Sequence, residues 1–319
     1  MKKARWLLLV PIAVAIVLSL RQDPTPTPQV VEESVQPVKS TPSAPLTPAP
    51  KAEVAISVLP AKVLQGDPVE VVITNEAPND KSQITSITFN GTKLKPFVEN
   101  GETKALIGLD LRMKPGTYPI VATLSDGKSI KKDLVVGGRV LVQAPLGIPD
   151  KLGGNTATSE QELLNTLAKE GEIINAIPTS ADKLWSGAFR YPLNTEITIT
   201  DVYGYSRLTG ASSIAHKGTD FRASIGTDVV AINSGKVAYV GYLRNYGNVI
   251  AVDHGAGVLS IYMHLSKVEK ALGDKVEKGE RIALSGDTGY VLGPHLHLTI
   301  RINNISIDPM KFLALLGKT

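Results

Sequence analysis

The sequence predicts a mostly β protein: a β-sandwich, a short helical segment and a second all-β domain follow one another along 319 residues. Three observations predict it. Aromatic residues make up only 5% while there are 28 Gly and 21 Pro, a balance that favours short strands and turns over a helical bundle. Apolar residues alternate with polar ones in short runs from Glu53 to Val136, the period of half-buried strands. From about Phe189 the chain changes to dense apolar runs broken by Gly and charged turns, and helical period is confined to the stretch between. The length fits about two domains. A hydrophobic content of 43% against 20% charged excludes wholesale disorder.

Residues 1–21 pair Lys2, Lys3 and Arg5 with a 15-residue apolar run from Trp6 to Leu20, the form of an export signal. A helix of that length rises about 22 Å, short of the ~30 Å hydrocarbon core. No clean small-residue cleavage site follows, so a signal peptide and an uncleaved membrane anchor through residues 6–20 both stand as readings. Residues 22–52 form a linker in which eight prolines fall between Pro24 and Pro50. Such a stretch cannot build a core and prefers extended polyproline geometry. Export implies the cell envelope, either periplasm or cell surface, with tethering to the cytoplasmic membrane as an option.

Residues 53–137 carry the alternating runs. Val54, Ile56 and Val58 share one face, Val69, Val71 and Ile73 repeat the pattern, and turns such as Asn90-Gly91 and Ser125-Asp126-Gly127 separate the strands. The pattern resembles immunoglobulin-like sandwiches in architecture only, which says nothing about chemistry or about which proteins it meets. In residues 138–188, Thr158-Ser159 followed by Glu162 reads as a helix cap, Leu163, Leu164, Leu167, Ile173, Ile174 and Ile177 recur near helical period, Gly171 weakens the helix and Pro178 ends it. A segment between two domains can bridge them or cover a site; both remain open. Residues 189–319 read as strands with a short C-terminal helix from Met310 to Leu316.

Composition excludes several chemistries. The chain has no cysteine, so there is no disulfide scaffold, thiolate zinc site or cysteine nucleophile. A net charge of +4 spread along the chain is too weak to argue for nucleic acid. No Walker, dinucleotide-binding or Gly-x-Ser-x-Gly motif is present.

The histidines locate the chemistry. All five, His216, His254, His264, His295 and His297, lie in the last third of the chain. His216 and Asp220 stand four apart in His-Lys-Gly-Thr-Asp. His295 and His297 stand two apart, and in a strand residues i and i+2 point to the same side, so both can face one cavity while Leu296 and Leu298 face a core. Imidazoles with a carboxylate are standard zinc ligands, and a catalytic zinc keeps about three of them and one open position. The surplus suggests a metal site with a separate acid/base set. Asp228, Asp253 and Asp274 read as turn or surface carboxylates, and Gly286-Asp287-Thr288-Gly289 as a turn.

These motifs, in this order, resemble the LytM/lysostaphin-type zinc metallopeptidases of family M23, over residues about 190–312. The matching stretches are His216 to Asp220, Asn248 to Gly255, Tyr262 to Ser266, Gly286 to Gly289, Gly293 to His297, and Ile307-Asp308-Pro309. The resemblance implies a hydrolase, a zinc metalloendopeptidase that cuts peptide cross-links of bacterial peptidoglycan through a metal-activated water. It implies one Zn²⁺ per chain on His216, Asp220 and His297, with His264 and His295 as the catalytic pair, sharing the roles of base and donor, and it leaves His254 structural. Leu292 and Leu298 depart from the Thr and Trp common in the family. Some LytM-like domains that lack ligands act instead as catalytically silent activators of other wall hydrolases. A D-Ala to diaminopimelate cross-link is the first-choice bond, a glycine bridge the other.

Overall fold

The computed structural model describes residues 54–75, 83–145, 147–148, 150, 153–209 and 212–317. The leader at 1–21 and the Pro-rich linker at 22–52 lie outside them. Among the described residues no helix is long and apolar enough to cross a membrane.

The alternation of the first region resolves into two sheets. One orders the strands Val54–Leu59, Pro68–Asn75, Glu102–Gly108 and Phe97–Glu99; the other has five strands, with Ser129–Gly137, Gly116–Leu124 and Ile84–Phe89 side by side. Val69, Val71, Ile73, Ala105 and Ile107 from the first sheet meet Ile87, Ile120, Ala122, Leu134 and Val136 from the second in one core. This is the sandwich that the period-two pattern predicts. Each fully buried Val or Ile there stabilises the fold by roughly 1.5–3 kcal/mol.

The C-terminal region is built on an eight-stranded sheet. Its spatial order places Thr219–Arg222, His295–Ile302, Val258–Leu265, Gly247–Gly255 and Gly235–Leu243 as neighbours. Both faces are covered, so these strands read as continuous apolar runs. On one face Ile250, Val252, Tyr262, Leu296, Leu298, Ile300 and Ile302 pack with Phe221 and with Phe312 of helix α2 (Pro309–Leu316). On the other, Val249, Ala251, Leu259, Ile261 and Met263 pack with Ile174 and Ile177. Ile174 belongs to helix α1 (Ala157–Asn175).

The cap of α1 differs from the expected one. Thr156, not Thr158 or Ser159, is the N-cap, and its side chain accepts from the Ser159 N–H. Gly153 and Gly154, both at positive φ, turn the chain into the helix at that point. Asp253 also departs from expectation. It is buried, and accepts from the Ser180 N–H and hydroxyl and from the Gly255 N–H.

The sandwich and the C-terminal region meet through an ion network built on two buried carboxylates, Asp67 and Asp308. Arg139 donates to Asp67 at 2.6 Å and to Asp308 at 3.0 Å, and Lys311 reaches Asp67 at 3.0 Å. The two regions also meet where Phe97 of the sandwich stacks edge-on against Trp185, with ring centroids 5.1 Å apart.

Candidate active site

Strand register brings the expected residues together. Asp220 pairs across the ladder with His297, and His297 pairs on its other side with Met263, next to His264. His297, Thr299 and Arg301 share the face opposite Leu296 and Leu298, as the period of a strand requires. His216 enters from the loop just before Thr219–Arg222. Gly218 is needed in that loop, since a Cβ there would lie 2.3 Å from His297 Nε2 and 2.5 Å from the Leu298 carbonyl oxygen.

Hydrogen bonds decide where each ring carries its proton. His216 Nδ1 lies 2.9 Å from the Val202 carbonyl oxygen, which can only accept, so Nδ1 bears the proton and Nε2 keeps its lone pair. Thr299 donates its hydroxyl to the Lys217 carbonyl at 3.1 Å, and therefore accepts from His297 Nε2 at 2.9 Å. That leaves His297 Nδ1 bare. The two bare nitrogens stand 3.0 Å apart, and they face Asp220 Oδ1 at 3.1 Å and 2.8 Å.

With both rings neutral, these three lone-pair atoms repel one another unless a cation or a shared proton sits between. A tetrahedral ion with bonds of ~2.0 Å sets its ligand atoms ~3.3 Å apart, close to the separations found. His216, Asp220 and His297 form the one candidate metal group among the described residues, and the chemistry of its donors fits a zinc-like ion. Burial opposes the Asp220 charge, but the imidazoles of His216 and His297 hold its carboxyl far below the usual carboxylate range. Burial likewise opposes a charged His216, yet the Asp220 carboxylate outweighs it and raises the pKa. Both directions express the attraction of that carboxylate for positive charge.

His264 and His295 complete the pocket. Their ring centroids are 4.9 Å apart, and His264 is 5.9 Å from His297. His264 Nδ1 donates to the Thr288 carbonyl at 2.9 Å and His295 Nδ1 to the Gly293 carbonyl at 2.9 Å. In both rings Nε2 is therefore the free lone pair, and that of His295 lies 3.7 Å from Asp220 Oδ2. The His264 backbone sits at φ 61°, at a break in register between Gly247–Gly255 and Val258–Leu265. A bulge with a left-handed residue is a common device for aiming a side chain at a site. Burial first, then the neighbouring His295 and His297 rings, which disfavour a further positive charge, push His264 down to about 3.

His254 stands apart from this group. It is fully buried, with Nδ1 donating to the Ser234 carbonyl at 2.8 Å and Nε2 2.8 Å from the Ser260 hydroxyl. Burial lowers its pKa to about 4, so it is neutral at physiological pH. Sequence reasoning missed the groups that orient the rings: Val202, Thr288 and Gly293 through their carbonyls, and Thr299 through its hydroxyl. Carbonyls leave no residue-type signal; Thr299, two residues past His297 on the same strand face, does.

Residues 214–309 match the family model described as peptidase family M23. Over that stretch the chain is similar to the M23 peptidases. Its relatives include the peptidoglycan DD-endopeptidase ShyA of Vibrio cholerae, 32% identical over 203 residues, which are 60% of this chain and 46% of ShyA. Lysostaphin of Staphylococcus simulans is 43% identical over 123 residues, 36% of this chain and 25% of lysostaphin. The chain thus spans less than half the length of these curated relatives. A Pseudomonas aeruginosa crystal structure bearing the peptidase M23 name superposes with a TM-score of 0.56 at 23% identity, covering 81% of this chain and 96% of that one. At that identity the likeness is one of fold, and it takes in the sandwich as well as the C-terminal region.

Proposed function

We propose that the protein is an exported zinc endopeptidase that hydrolyses peptide cross-links of peptidoglycan, of the DD-endopeptidase type. The observation that carries this reading is the convergence of four imidazole lone pairs and one carboxylate in a single pocket. His216, Asp220 and His297 would hold one zinc ion. When bound there, zinc lowers the pKa of water to ~7 and polarises a scissile carbonyl.

The chain's own residues do the rest. Val202 and Thr299 fix the tautomers of the two ligand rings, and such outer partners raise ligand basicity and hold ring orientation. His264 and His295 turn their Nε2 atoms toward the ligands, positioned to take the proton of the attacking water and return it to the leaving amine. The His295 side chain is 18% exposed against 10% for His297, so it is the more open of the two to an incoming peptide.

The competing reading, a catalytically silent activator, rests on lost ligands; here the ligand set and both flanking histidines are present. Envelope location follows from the substrate and from the leader-like N-terminus, and tethering through residues 6–20 belongs to the same proposal. The test is digestion of purified peptidoglycan with mass spectrometry of the products. Cleavage of D-Ala to diaminopimelate cross-links is expected, lost with a chelator and regained with zinc. Release indifferent to chelator, or none under any metal condition, overturns the reading. Stimulation of a second hydrolase without cleavage of its own points to the activator.

A further inference from the structure

Helix α1 lies outside the region matched to family M23, yet it carries a buried carboxylate held against the loop at Asn245. Its core-facing positions are Ser159, Leu163, Glu170 and Ile174. Glu170 is 7% exposed and occupies a place in the stripe where an apolar side chain is expected. A carboxylate buried without a cation is costly unless N–H donors surround it. Among the described residues the donors all come from one. The Asn245 N–H reaches both carboxylate oxygens at 3.1 Å, and the Asn245 side-chain amide donates to Oε2 at 2.9 Å and to Thr166 Oγ1 at 2.8 Å.

Asn245 opens the loop that clasps His264. The carbonyl of the next residue, Tyr246, accepts the His264 N–H at 2.9 Å, and the Asn245 carbonyl accepts the Tyr290 N–H at 2.7 Å. Across the loop, Asn248 N–H donates to Thr288 Oγ1 at 3.0 Å, and the Thr288 carbonyl holds the His264 ring. The two turns fit without clearance, since a Cβ on Gly289 would lie 2.4 Å from Gly247 N and 2.6 Å from the Asn245 carbonyl oxygen. His264 itself is in the left-handed conformation, which persists only where surroundings over-determine it. The far end of α1 is anchored too, because Arg301 donates to the Ile174 carbonyl at 2.9 Å and to the Asn175 side chain at 2.7 Å.

We propose that Glu170 is a positioning residue: it clamps the 245–247 loop and thereby sets the place of the His264 ring, so that α1 is part of the catalytic unit and neither a spacer nor a plug. The inference rests on the endopeptidase reading for its effect on turnover, and on geometry alone for its effect on His264.

The experiment uses the full chain loaded with zinc, a soluble cross-linked muropeptide, and ¹H–¹⁵N spectra of the histidine rings. Glu170→Ala is expected to keep one zinc per chain and a KM within about twofold, while kcat falls about 10- to 100-fold, the scale of a misplaced catalytic group. The His264 ring signals should shift or split and those of His254 stay in place. Glu170→Gln, which keeps an acceptor for the Asn245 N–H, is expected to restore kcat to within about threefold and the His264 signals to their original positions. A folded Glu170→Ala protein with unchanged kcat and unmoved His264 signals overturns the proposal, as does loss of zinc in step with activity. Should the alanine variant not fold, Glu170→Asp decides: a severalfold lower kcat with displaced His264 signals supports the clamp, and wild-type values contradict it. If wild-type protein cleaves nothing, the endopeptidase reading fails while the His264 spectra still decide the clamp.

Discussion

Substitution of His297 by alanine is expected to remove zinc from the protein, from one ion per chain to less than about a tenth, and to lower peptidoglycan cleavage on the order of 10⁴-fold or more. The magnitude follows from its place at the centre of the site. His297 Nδ1 is within 3.0 Å of His216 Nε2 and 2.8 Å of Asp220 Oδ1, so its loss opens one side of a three-atom cradle. It also leaves Asp220 buried with one imidazole fewer, a change that costs several kcal/mol when a buried charge loses its partner. Metal analysis and a thermal scan on the same sample separate the two effects. Full zinc content with undiminished cleavage would remove His297 from the ligand set.

Alanine at His264 should behave differently. The ring has its Nδ1 proton committed to Thr288 and its free Nε2 in the pocket, but it belongs to no ligand contact. Zinc content is therefore expected to stay at one per chain while turnover falls about 10² to 10⁴-fold, the range of a positioned acid or base. Because φ at this residue is 61°, a glycine in its place relieves backbone strain that alanine retains. Comparing His264→Gly with His264→Ala thus tests whether the loss comes from the missing imidazole: both should be equally slow. A His264→Ala protein that turns over at the wild-type rate would assign the proton transfer to His295 alone.

Much of the fold, and the meeting of these side chains, could be read from residue order because the strand period carries it. The i, i+2 spacing of His295 and His297 places both on one strand, and Leu296 and Leu298 between and after them lie in the core on the opposite face. The inward residues of the sandwich follow the same rule. What escaped was set by tertiary contact. Ser159 with Glu162 satisfies the capping pattern as well as Thr156 does with Ser159, and the glycine pair at 153–154 settles the choice by turning the chain early. Asp253 has the composition of a turn carboxylate, but the 178–184 segment folds over it and supplies Ser180 as donor. The tautomers depend on Val202, Thr288 and Gly293 carbonyls, which any residue could provide. Glu170 did leave a trace, a charge in the apolar stripe of α1, whose meaning appears only once Asn245 is seen against it.

Zinc-edge X-ray absorption on the full chain loaded with one equivalent of zinc reads the proposed ligand set itself. The expected spectrum is that of a low-coordinate ion with two imidazole nitrogens at ~2.0–2.1 Å and carboxylate oxygen at ~2.0–2.2 Å, and it changes in the His297→Ala protein. A shell of six oxygens without imidazole, or an identical spectrum in that variant, would contradict it.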